Sequence, residues 1–468
     1  MIPGVHRRLL AALRRFALPC YNPRAYTGKE RPVAVPQQLR RNVILALTLL
    51  TLVACSAQGA SLSTTPQPAA PAPARTILIL WHAWPPPADR ALAAVVERFN
   101  RGNPRMQVVI QTRQAVSLRD ELASAVAEGA GPHLAIVPSH TLGALAEEGA
   151  LLSLDGLLAA QELERLLPAA LGAAQVRSRE GPRLYGVPLT FDTLALYYNK
   201  ANFSAAPPGD TDSLLRVARG LSDNRSDPPV WGLAYNLNLD RTIGYLYAFG
   251  GRVFDDQGNL VLGLDGRAGT EAWLEWLLVL REDEGLLASL DGITVDNALL
   301  SQRALMTIDW AHAAGRYRAL WAGNLGVAPL PRLSETNRLP QPYVRSDTLV
   351  LNARLGDGPE RAAALAFTRH LMTEASQRDL LRAGRQPALM SLDLNAADLA
   401  ISPELREAAR VFRAQAEAGL PMPNTRAATE IVWPVLIDMQ SGVLRRLLTP
   451  AQAVENADTA LRARLDQP

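Results

Sequence analysis

YGVPLTFDTLALYYNK, residues Tyr185–Lys200, is the stretch that decides the architecture. A Gly-Val-Pro turn opens into an apolar, β-prone run, Leu194 to Tyr198, which Asn199-Lys200 closes with turn chemistry. The segment therefore enters and leaves as strand. Midway stands Asp192, a single carboxylate between Phe191 and Thr193. Carboxylates are rarely buried without partners, so two readings stay open. Asp192 is a surface residue at a kink, or the strand crosses between two lobes and exposes Asp192 to a cleft. There it can accept hydrogen bonds from ligand hydroxyls or pair with a cation.

Outward from this stretch, the chain has 468 residues, 48% of them hydrophobic, enough for two or three packed units. Its formal charge of +3 is unevenly spread. Residues 1–54 hold nine Lys/Arg and only Glu30 on the acidic side, which leaves 39 basic against 44 acidic residues, a net of −5, for the rest. A mildly acidic body lacks the electrostatic footprint of a nucleic-acid binder.

Behind Arg40-Arg41, residues Val43 to Ala54 are uncharged and end at Cys55. A run of this length is short of the roughly 20 residues that span a bilayer and fits the apolar region of an export signal. Leu52-Val53-Ala54-Cys55 resembles a bacterial lipoprotein box, which implies cleavage before Cys55 and its lipidation. Residues 1–39 are long for the leader of such a signal. Once Cys20 is removed with the leader, Cys55 is the last cysteine, so no intramolecular disulfide is expected. Ser56 to Arg75 is a Ser/Thr/Pro/Ala tract, read as a tether of up to about 60 Å at the extended rise of such segments.

The body opens with a strand at TILILW, residues 76–81, then a Pro-rich loop and a helix carrying Leu92, Val95, Val96 and Phe99 on one face. Strands over 107–111 and 134–137, with a helix over 118–128 between them, continue a βαβ pattern and predict a parallel sheet with covered faces. Such sheets bind ligands at the carboxyl ends of their strands, where Trp84 lies.

The Tyr185–Lys200 stretch resembles the first crossover of the family 1 extracellular solute-binding proteins, the maltose-binding-like components of ABC importers, in which a "yGvP…d…lyYNK" pattern joins two lobes. The resemblance extends from Thr76 to about Leu465. It implies an α/β fold of the periplasmic-binding-protein-like type II class, two discontinuous lobes around a cleft. Residues 76–190 plus 347–400 form lobe 1 and 194–345 plus 402–468 form lobe 2, with further crossings at 345–349 and 398–403. It implies cleft positions at Trp84, at Ser139 and His140 after the third strand, and at Tyr235 and Asp240 after the "wGl" strand, with Asn238 and Arg241 beside them. Asp309 and Trp310, with His312, follow a segment resembling "F..GkaAM.i.G.w" without its usual Gly. Trp433 stands where the family often presents an aromatic. His133 replaces the usual Asp of the "G.gPDl" approach, while Trp273 and Trp276 read as packing. Arg345 and Asp347, within the second crossing, pair with each other or reach the ligand.

The function so implied is capture of a sugar or oligosaccharide outside the cytoplasm, by a monomer with a lipid anchor that passes its ligand to an ABC permease. Polyamines, glycerol phosphodiesters and anions are the rival ligands. No cofactor is implied, and no H-E-x-x-H, C-x-x-C or P-loop is present. A glycosidase would need two carboxylates, and Asp192 with Asp309 or Asp347 are the pairs to examine.

Overall fold

The computed structural model describes residues 75–178, 181–255 and 258–465. Cys55 and the tether lie outside them. Three strands start the chain: β1 (Thr76–His82), β2 (Met106–Thr112) and β3 (Leu134–Pro138). They pair in parallel, with β1 in the middle. The helix Ala88–Gly102 crosses from β1 to β2 and buries Leu92, Val95, Val96 and Phe99, the face its periodicity marked. The helix Leu118–Ala127 returns the chain to β3 on Leu118, Leu122 and Val126, spaced four apart.

A short hairpin, β4 (Gln175–Ser178) and β5 (Gly181–Leu184), precedes β6 (Gly186–Asp192). Only Thr193 separates β6 from β7 (Leu194–Asn199), yet the two strands belong to different sheets. Beyond them come β8 (Ala234–Asn236), β9 (Leu287–Ser289), β10 (Met306–Trp310), β11 (Leu325–Ala328), β12 (Tyr343–Leu351), β13 (Gln386–Pro387) and β14 (Leu420–Pro421). The large sheet runs β13-β6-β12-β3-β1-β2, with β14 also on β12, and the second sheet runs β10-β7-β11.

The parallel expectation holds for β1 to β3 and fails beyond them. Strand β12 lies antiparallel to both β3 and β6. It enters where β3 leaves, with Asp347 opposite Pro138 and Leu351 opposite Leu134, so its direction is opposed. Room for β12 is made at Gly186, where a Cβ would stand 2.4 Å from Thr348 Cγ2 and 2.8 Å from the Leu349 carbonyl oxygen.

Strand β7 shows why the crossing stretch is apolar on both faces. Ala195 and Tyr197 join a core with Leu80, Ile136, Leu189 and Leu349 of the large sheet. Leu194, Leu196 and Tyr198 join another, with Trp273, Leu277, Ile308 and Leu436. The first core also takes in Tyr317 and Phe412, whose rings lie 4.6 and 5.9 Å from that of Tyr197. In the second, the helix Arg267–Glu282 buries Trp273 completely, and its indole N–H donates to the Thr242 carbonyl at 3.2 Å. Trp276 packs on the Tyr245 and Phe249 rings.

A π-helical turn, Ala427–Val432, runs into the helix Trp433–Leu444, where the sequence predicts a plain helix over 431–441. Among the described residues no helix is long and apolar enough to cross a membrane.

Candidate functional site

Alternation along β12 places Tyr343, Arg345 and Asp347 on one face, about 6.7 Å apart from one to the next. Two cavities open along that face. The first, of about 330 Å³, is lined by Tyr343, Phe254, Met422, Thr429, Trp433 and Asp240 among others. The second, of about 310 Å³, is lined by Thr190, Phe191, Asp192, His312, Asp347 and Arg385 among others. His140 and Arg345 line both. One chamber is therefore aromatic and the other charged, and both are of small-ligand size.

In the aromatic chamber, the π-turn sets Ala428, Thr429 and Val432 on the wall beside Trp433. Local π-turns of this kind frequently mark functional positions. The Trp433 and Tyr343 rings stand 6.2 Å apart at 45°.

Cross-strand register organises the charged chamber. Arg345 sits opposite Asp192, and Asp347 opposite Thr190. Accordingly Arg345 donates to Asp192 Oδ2 from Nη2 at 2.9 Å and from Nε at 3.2 Å. Asp347 Oδ2 accepts from the Thr190 hydroxyl at 3.1 Å and from Arg385 at 2.8 Å. The expectation that Arg345 and Asp347 pair with each other is thus corrected: each has a partner reached through β6 or the neighbouring β13 loop.

Asp192 also accepts the His312 backbone N–H at 3.1 Å, while the His312 ring Nδ1 lies 2.7 Å from its Oδ2. Burial pushes the Asp192 carboxyl up, but the charge of Arg345 and the hydrogen bond from His312 outweigh it and hold the carboxyl well below the usual carboxylate range. For His312, partial burial opposes charging, and the hydrogen bond and charge of Asp192 raise the ring above its ordinary value. His140 moves the other way: burial, with the Arg345 charge, lowers it to about 4, so it is neutral at physiological pH.

Several residues marked by the sequence face inward instead. Trp310 is 3% exposed, because Arg345 lies over its ring at 3.8 Å and its indole N–H donates to Asp240 at 3.0 Å. Asp309 is buried in an ion-pair cluster, accepting from Arg241 and Arg316 at 3.0 Å each and from the Tyr317 hydroxyl at 2.9 Å. Tyr235 is buried with its hydroxyl donating to the Arg241 carbonyl. Ser139 is fully buried, its hydroxyl oxygen accepting the Ser346 N–H at 3.0 Å. Trp84 is 5% exposed beneath Arg385, 5.1 Å from its ring. These five support the chambers from behind and do not line them. His133 serves the fold, accepting the Ile79 N–H at Nδ1. On the chamber walls, from the sequence-marked set, stand His140, Asp192, Asp240, His312, Arg345, Asp347 and Trp433.

Sequence reasoning missed Tyr343 and Thr429 in the aromatic chamber and Thr190, Arg385 and Gln386 in the charged one. A signal for the last two exists: Gly384, in the left-handed region at φ +83°, stops the helix Glu374–Arg382 and turns the chain back toward β6. Gln386 is buried, and its Oε1 has no hydrogen-bond partner. Among the described residues no His/Cys/Asp/Glu group is arranged to hold a metal ion.

Comparisons with known proteins agree with this architecture. The chain is 26% identical over 269 residues to the maltotriose-binding protein of Pyrococcus abyssi, a match covering 57% of this chain and 56% of that protein's length. The maltose/maltodextrin-binding domain of Bdellovibrio bacteriovorus, bound to maltotriose, superposes with a TM-score of 0.67 at 24% identity, over 83% of this chain and all of that one. The cyclic α-maltosyl-1,6-maltose binding protein of Arthrobacter globiformis gives 0.71 at 16%, over 84% and 100%. The fold is the type II periplasmic-binding-protein-like one, two discontinuous α/β lobes around a cleft. The model of the bacterial extracellular solute-binding proteins matches residues 94–406, and the chain belongs to that family.

Proposed function

We propose that the protein captures a saccharide in the aromatic chamber along β12 and delivers it to the transmembrane subunits of an ABC importer. The observation that carries this reading is the juxtaposition along β12. Trp433 and Tyr343 offer flat apolar surface, beside Asp240 and Thr429 as polar groups, and Arg345 and His140 stand at its end, before the fixed charged pairs. A sugar has C–H faces that stack on rings and hydroxyl edges that need donors and acceptors, and this groove supplies both. The names of its relatives point the same way.

Charge balance disfavours the rivals. Both aspartates of the charged chamber are matched by arginines, which leaves neither surplus acid for a polyamine nor surplus base for a phosphodiester. Catalysis is disfavoured as well. A glycosidase needs a carboxylic acid that stays protonated, whereas Arg345 and His312 hold the Asp192 carboxyl well below the usual carboxylate range; Asp309 is buried away from the chambers and Asp347 is bound by Arg385.

Ligand touching both sides of the groove shifts an opening equilibrium toward the closed form, since those contacts exist together only there. The lobes we assign are 76–190 with 347–400 and 194–345 with 402–468, hinged at the β6–β7 junction, at β12 and near 398–403. Cys55 carries the lipid that keeps this monomer at the outer face of the membrane, on the tether that follows it. A thermal-shift screen tests the ligand class: maltose, maltotriose and maltotetraose against spermidine, a glycerol phosphodiester and phosphate. Ligand at 100 times its dissociation constant adds about 2.7 kcal/mol. A shift with spermidine or phosphate and none with any sugar would overturn the saccharide reading.

A further inference from the structure

The two chambers share only two lining residues, His140 and Arg345, so any ligand that fills both must pass between them. Arg345 is a fixed obstacle at that point. Its guanidinium is held on one side by two hydrogen bonds to Asp192 and on another by the Trp310 ring at 3.8 Å. Asp192 is in turn fixed by His312, and Trp310 by Asp240. A long side chain tethered in this way loses little further freedom when a ligand packs on it, and it resists being pushed aside. Each chamber alone, at about 310 and 330 Å³, lies at the small end of ligand pockets, whereas the two joined would be mid-sized.

We propose that Arg345 is a specificity-determining partition: it sets the length of saccharide the groove accepts by closing the aromatic chamber off from the charged one. This inference rests on the saccharide reading above and adds the residue that limits chain length. A short ligand occupies the aromatic chamber and meets the guanidinium at its end. Additional sugar units gain nothing, because the wall blocks their way into the charged chamber. Removing the side chain beyond Cβ joins the chambers and uncovers the Trp310 ring as an additional stacking surface.

The test is calorimetric titration of wild type, Arg345→Ala and Asp192→Asn with maltose, maltotriose and maltotetraose, beside melting curves without ligand. Wild type is expected to bind the three with dissociation constants of the same order. Arg345→Ala is expected to favour maltotetraose over maltose by about tenfold more than wild type does, equivalent to about 1.4 kcal/mol. Asp192→Asn, which loosens the guanidinium without deleting it, moves the preference in the same direction as alanine and serves if Arg345→Ala does not fold. An unchanged length preference in Arg345→Ala, or in Asp192→Asn where alanine does not fold, overturns the partition and leaves the saccharide reading standing. A shift in Arg345→Ala with none in Asp192→Asn, which keeps the Arg345 charge, also overturns it, since charge and not a fixed obstruction would then govern. Wild type that binds none of the three sugars removes the saccharide reading, and the partition with it.

Discussion

Replacing Asp192 by alanine takes the acceptor away from three donors at once: the Arg345 guanidinium, the His312 ring and the His312 backbone N–H. Removing one member of a buried ion pair costs about 3–5 kcal/mol, and an exposed pair is worth about 1 kcal/mol or less. Asp192 is 17% exposed and Arg345 30%, and Arg345 keeps the Trp310 ring beneath it, so the case is intermediate. A loss of about 2–3 kcal/mol follows from those bounds, which at roughly 2 °C per kcal/mol for a large chain lowers the apo melting temperature by about 4–6 °C. The pH dependence gives the assay its sign. Asp192, with its pKa depressed, adds stability that is present above the unfolded value near 3.9 and lost as pH falls through the folded value. His312, with its pKa raised, adds stability that is complete below about 6.5 and lost as pH rises through its folded value. The melting gap between wild type and Asp192→Ala is therefore widest between about pH 4 and 6.5 and narrows at alkaline pH, where only the Arg345 part remains. Scanning calorimetry from pH 5 to 9 measures it. A variant that melts with wild type at pH 6, or a gap of constant width across the range, would refute this ion-pair account of Asp192.

Three further outcomes follow. Trp433→Ala should weaken saccharide binding by about 1–2 kcal/mol, roughly five- to thirtyfold in Kd by calorimetric titration, and leave the apo melting temperature near wild type; unchanged affinity would remove Trp433 from the site. Asp309→Ala leaves Arg241 and Arg316 facing each other around an empty position and should cost about 3–5 kcal/mol in denaturant unfolding, so wild-type stability would contradict the buried-cluster account. Cys55→Ser should release the protein from the membrane fraction or leave it unprocessed, and normal processing with full membrane retention counts against the lipid anchor.

Much of the fold was legible because its signals are local. The face of the helix Ala88–Gly102, the strand β1 and the crossing at 185–200 can each be read from periodicity and turn residues within a short window. The antiparallel course of β12 was not legible, since strand direction depends on where a distant connection returns the chain. The candidate site divides along the same line. His140, Asp240 and Trp433 stand on the chamber walls as their places in the sequence suggested. Trp310 and Asp309 do not, because the guanidinium that covers Trp310 and the arginines that surround Asp309 come from elsewhere in the chain. Alternation shows that Arg345 and Asp347 share a face, but only the register with β6 shows which partner each one meets. Gln386, on a strand of two residues, offers no period to read.

Strand β12 divides its labour along its length, and that division bears on how the molecule can evolve. Its second half, Leu349 to Leu351, is buried between β3 and β6 and holds the sheet together. Its first half presents Tyr343, Arg345 and Asp347 to the chambers, every other residue, with Val344 buried on the opposite face. Changes at these three positions leave Leu349 to Leu351 in place, while Arg345 and Asp347 also hold Asp192, Thr190 and Arg385. Under the role proposed above, the ligand can change in small steps along one strand, each step also drawing on the pairs that Arg345 and Asp347 make across the groove.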